Sequence, residues 1–92
     1  VRRRFDHFVV ELSVAVGCML PRYALWLRMR ECGLDPEDLS REEALAFCDT
    51  PVTEFLAERG FALPPAVRRR LHRAIERFDP AVPTPEERFA RI

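Results

Sequence analysis

Ninety-two residues hold one domain and leave no room for a second, and 48% apolar with 33% charged residues is a globular balance that excludes a disordered chain. The formal net charge is zero, which argues against indiscriminate binding to nucleic acid. Cys18, Cys32 and Cys48 stand at wide spacings with no C-x-x-C and no histidine pair beside them, which excludes a disulfide framework and a zinc site. Three reduced, buried thiols in a cytoplasmic protein are the expectation.

Every positive charge is arginine, and Lys, Asn and Gln are missing, as in the codon usage of a GC-rich genome. An arginine at any one position is therefore weak evidence for phosphate recognition, because no lysine was in use. The charges are unevenly placed: residues 1–30 carry a net +4, residues 31–60 a net −7 and residues 61–92 a net +3. The middle is acidic and both ends are basic.

Along the chain, Phe5, Phe8, Val9, Leu12, Val16, Met19 and Leu20 recur at three- and four-residue steps, which predicts a helix over residues 1–20. With Val10 and Val14 on its flanks it is apolar over most of its circumference, so it belongs at the centre of the core. Arg2 to Arg4 before "FVVELSVAVGCML" resemble the start of an export signal, and Ala15-Val16-Gly17-Cys18 approaches a lipoprotein box. Asp6 and Glu11 interrupt the apolar run, however, and it falls short of the roughly 20 residues a membrane span needs, so a buried element and no membrane association are expected.

Capped helices follow over residues 21–79. Pro21 suits the first turn of the next helix, and Gly33-Leu34 suits a left-handed cap with an apolar contact back to Met29. Tyr23, Leu25, Trp26 and Met29 are expected in the core, with an apolar dimer face as their second reading. Asp35-Pro36-Glu37 opens a short turn, and Ser40-Arg41-Glu42-Glu43 is a capping box that starts a helix through Cys48. Thr50-Pro51 starts another, which Gly60-Phe61 ends; Pro64 and Pro65 open an arginine helix over residues 65–78. Residues 80–92 are predicted as a short linker and a last helix, opened by the capping box Thr84-Pro85-Glu86-Glu87. The fold class expected is all-α, a compact single domain over residues 1–92 with about six short helices in orthogonal or bundle-like packing.

On the arginine helix, Val67, Leu71, Ala74, Ile75 and Phe78 fall within an arc of about 100° and form its core side. Opposite them lie Arg69, His72, Arg73 and Glu76, flanked by Arg68, Arg70 and Arg77. Arg69 with Arg73, and Arg73 with Arg77, are like-charge pairs at i,i+4, and Glu76 is the single acid among them. Three readings follow: these arginines face the protein's own acidic middle, within the fold or across a dimer; they are long side chains simply solvated by water; or they meet nucleic acid or another polyanion. A helix-turn-helix reading of the turn between Cys48 and Pro51 fails, because "PVTEFLAERG" would present Glu54 and Glu58 to phosphates.

No enzyme is expected. His7 with Glu11, and His72 with Glu76, are spaced as surface ion pairs, and neither histidine has a nucleophile that the sequence places beside it. Three scattered glycines make no phosphate loop, and the Asp35, Glu37, Asp38 cluster lacks calcium-loop spacing; no catalytic residue, cofactor or metal is assigned.

Three segments, "WLRMRECGL" (26–34), "VTEFLAERGF" (52–61) and "RRRLHRAIERF" (68–78), loosely resemble the order of motifs in sterile alpha motif domains, over about half the chain. The sequence departs from that pattern at Pro64-Pro65, where a glycine-containing entry is usual. The resemblance implies a five-helix interaction module in which an acidic surface of one copy meets a basic surface of another. Together these observations lead us to expect a protein–protein interaction module, self-associating or docking on a larger protein. Arg69, Arg70, Arg73 and Arg77 are its basic contacts, and Glu54 and Glu58 its acidic ones. A nucleic-acid-binding accessory protein using the same helix is the alternative.

Overall fold

A computed structural model describes residues 3–79 and is all-helical over them, with five α-helices and one 3-10 turn. These are α1 (Arg4–Val16), α2 (Arg22–Glu31), the 3-10 turn Pro36–Asp38, α3 (Arg41–Phe47), α4 (Thr50–Ala57) and α5 (Pro65–Arg77). The predicted capping box at Thr84 and the last helix lie outside the described residues.

The first helix ends four residues earlier than its apolar period predicts. Gly17 takes a left-handed backbone (φ 74°), and the Cys18 N–H donates to the Ser13 carbonyl to close the cap. The buried Ser13 hydroxyl then accepts from the Leu20 N–H at 3.2 Å. That bond turns the chain back, so Leu20 is buried from the loop while Met19, expected in the core, is 86% exposed. Phe5, Phe8, Val9 and Leu12 do form the buried stripe. The other side of α1 is open rather than enclosed: Val10 is 53% and Val14 72% exposed.

Pro21 sits just before α2, whose Leu25 and Met29 enter the core. Trp26 is half-buried, but Tyr23 is 70% exposed, against the expectation for it. The start of α2 is tied to α1 by the Arg22–Asp6 ion pair and by the Arg22 guanidinium over the Phe5 ring. At the end of α2 the Leu34 N–H donates to the Met29 carbonyl, and at the end of α4 the Phe61 N–H donates to the Leu56 carbonyl, the same six-residue cap at both glycines. The capping box of α3 forms as read: Glu43 N–H to Ser40 Oγ at 3.1 Å and Ser40 N–H to Glu43 Oε1 at 3.0 Å. A cap of this kind contributes about 1 kcal/mol.

One core runs through the helices. Here α5 lies across α1 and α3, while α2 packs on α4 and the 3-10 turn. Phe8 of α1 meets Phe47 of α3 edge-to-face at 5.6 Å between ring centroids, and Leu71 and Ile75 of α5 close over the same core. Thus α5 is anchored on its apolar side and free on its basic side, which is what positions the site.

The cysteines divide two ways. Cys48 is buried as expected, but Cys18 and Cys32 are exposed, although all three stand at or just past a helix end. Burial pushes the Cys48 thiol from 9.0 up to about 12, with the charge of Asp49 adding to it. We expect a neutral-pH alkylating reagent to modify two thiols in the native protein and the third after unfolding. Because the folded state resists ionising Cys48, stability should fall as pH rises from about 9 to about 12, and Cys48→Ala should remove that part of the slope in urea melts.

Candidate functional site

The outward side of α5 carries the predicted basic contacts. Arg69, Arg70, Arg73 and Arg77 are all exposed, and none of them makes an ion pair among the described residues. At about 100° per residue these four fall within roughly a quarter-turn-plus of the helix, an arc of about 100°. They form one stripe.

Two neighbouring side chains are held from α4 and the turn before it. Arg68 is half-buried and its Nη2 donates to Thr53 Oγ1 at 2.8 Å, while the Thr53 hydroxyl donates to the Asp49 carbonyl at 2.9 Å. His72 does not take Glu76, as its spacing suggests; its Nε2 lies 3.4 Å from Asp49 Oδ1. Asp49 precedes α4 and is of a residue type that commonly caps a helix, yet its side chain makes no cap bond. Its carboxylate faces His72 instead. Together Asp49, Arg68, Arg69, His72 and Arg73 line an open depression of about 420 Å³.

The two predicted acidic contacts differ. Glu54 is exposed and makes no ion pair among the described residues. Glu58 is already engaged: Arg28 Nη2 meets its Oε2 at 2.5 Å, and Arg59 stands 3.8 Å away. The Arg28 and Arg59 guanidinium groups also lie over the Phe55 ring, at 5.6 and 3.9 Å from its centroid. The hydrogen bond to Glu58 holds Arg28 above its ordinary value. Glu58 therefore helps seat α2 on α4.

Asp49 and Thr53 were not among the predicted site residues. The i,i+4 pair "DTPVT" is visible in the sequence, but which acid of the acidic middle comes to α5 depends on how α3 and α4 pack beneath it. His7 proves structural in its surroundings: it is buried, stacked on Phe78 at 4.3 Å, and its Nε2 is 3.5 Å from Glu11. It joins the start of α1 to the end of α5. No group of three metal-ligating side chains occurs among the described residues, and no helix among them is long and apolar enough to cross a membrane.

No family model, curated protein or solved structure matches this chain. The functional reading rests on the geometry of α5 and its neighbours.

Proposed function

We propose that this protein is a small helical interaction module that docks the arginine stripe of α5 on carboxylates of another polypeptide, a second copy of the chain included. The observation that supports it is the set of four exposed arginines without an ion pair among the described residues, on a helix whose opposite side is fixed in the core. Like charges held on one rigid face favour an oppositely charged partner and steer its approach. Glu54, exposed on α4, offers the complementary charge for a homotypic contact.

A protein partner fits better than a nucleic acid. The stripe is one 13-residue helix, about 20 Å long, with Glu76 on it, and the chain's formal net charge is zero, so it offers little to a continuous phosphate backbone. The two exposed thiols and the buried one support a reducing, cytoplasmic setting.

The test is sedimentation of the protein, and fluorescence anisotropy with a labelled Glu-rich peptide and with labelled duplex DNA, at about 50 and 200 mM salt. Self-association or peptide binding that Arg73→Glu abolishes supports the reading. Duplex binding with a steep salt slope, and no response from the peptide or from self-association, replaces it with the nucleic-acid reading.

A further inference from the structure

The stripe and the depression beside it are not equivalent. Arg70 and Arg77 belong to the stripe alone, while Arg69 and Arg73 belong to both. In the depression, side chains from α5 and from the turn before α4 converge on one concavity of about 420 Å³, and three of the five already have a partner. Arg68 is fixed by the Thr53 hydroxyl, which is itself fixed by the Asp49 carbonyl, and His72 is held at the Asp49 carboxylate. Arg69 and Arg73, one helical turn apart on α5, are the two arms left to close over a ligand.

We infer that this depression is a binding site for a dianionic phosphate monoester, and that this group is the anchor by which the α5 face holds its partner. The inference rests on the docking reading for its biological setting, and on the depression for its chemistry. Three guanidinium groups less one carboxylate give the lining a formal +2. A carboxylate brings one charge and two oxygens, enough for one guanidinium fork. A phosphate monoester brings close to two charges and three terminal oxygens, enough for the two open forks of Arg69 and Arg73 and for the donors of Arg68 that Thr53 leaves free. A phosphodiester, with one charge and two free oxygens, matches as poorly as a carboxylate.

The Asp49 carboxylate does not spoil the site, because its Oδ1 is turned to His72. It sets the limit instead: it leaves a charge that a dianion balances and a polyanion would exceed. Arg70 and Arg77 lie outside the depression and belong to the broader face.

The experiment is a titration of the isotope-labelled whole chain, followed by amide chemical shifts at fixed ionic strength, with inorganic phosphate, dimethyl phosphate, acetate, an acidic peptide carrying one phosphoserine and the same peptide without its phosphate. Shifts confined to Asp49–Thr53 and Arg68–Arg73, with the monoester form at least about tenfold tighter than the diester or acetate, are the expected result. Arg69→Ala should weaken that binding by about tenfold or more, and Arg30→Ala, on α2 over the Trp26 ring, should leave it unchanged. A phosphopeptide much tighter than both inorganic phosphate and the same peptide without its phosphate names a modified protein as the source; equal affinities for the phosphopeptide and inorganic phosphate name a free phosphate. Acetate or dimethyl phosphate binding as well as phosphate overturns the inference, as does a full response in Arg69→Ala. No partner protein enters the titration, so its failure is separate from a failure of the association test.

Discussion

Phe47→Ala is expected to destabilise the fold by about 3–5 kcal/mol, a large share of the stability of a domain of this size. Phe47 is 1% exposed, closes α3, and meets Phe8 edge-to-face beneath α5, so truncating it opens a cavity where three helices meet. Neither neighbour can collapse into that space without moving a helix. The check is a urea melt followed by circular dichroism, with Val14→Ala as a control; Val14 is 72% exposed and its truncation should stay within about 0.5 kcal/mol. A cost below about 1 kcal/mol for Phe47→Ala would contradict the packing of α3 under α5. The consequence reaches the site, because Phe47 lies two residues before Asp49. Phe47→Leu, which keeps much of the volume, should therefore fold and still loosen the Asp49–His72 contact.

The fold was legible wherever a local signal carried its own mechanism. Ser40 and Glu43 named their reciprocal bonds, Pro65 named the start of α5, and the spacing of Leu71 and Ile75 named its buried side. Reading failed where two signals competed. Met19 and Leu20 continue the apolar period past Gly17, where the helix ends, and the period is blind to a chain that turns back and buries Leu20 from a loop. Residue type favours burial for all three cysteines, and a place at a helix end does not decide it: Cys18 and Cys32 are exposed there, whereas Cys48 is buried.

The site was half legible. Helical geometry placed Arg69, Arg70, Arg73 and Arg77 opposite the core, and they are exposed there. Sequence spacing paired His72 with Glu76 and offered Glu58 as a free contact; three-dimensional packing gave His72 to Asp49 and Glu58 to Arg28. Ion-pair choice among nine acids in residues 31–60 is decided by how the helices dock, and no local pattern encodes that.

Arg73→Glu is expected to abolish association through α5 while leaving the isolated fold as stable as before or more so, by up to about 1 kcal/mol. Arg73 repels Arg69 four residues before it and Arg77 four residues after it, and the substitution turns both repulsions into attractions. Against that gain stand the change of its i,i+3 attraction to Glu76 into a repulsion and a weak unfavourable term with the helix dipole. Each contribution is about 0.2–0.5 kcal/mol, so the two relieved pairs outweigh or cancel the rest. The opposed signs are what make the variant informative. If Arg73 served the fold, charge reversal would lower the melting temperature; if it serves a partner, the melting temperature holds or rises while self-association or peptide binding disappears. A stripe of like charges that weakens its own helix is intelligible as a surface that gains from being covered, and thermal melts beside sedimentation of the same samples measure both halves of that statement. Loss of stability with association intact would sink the docking reading, and the arginines would then be the solvated side of a core helix.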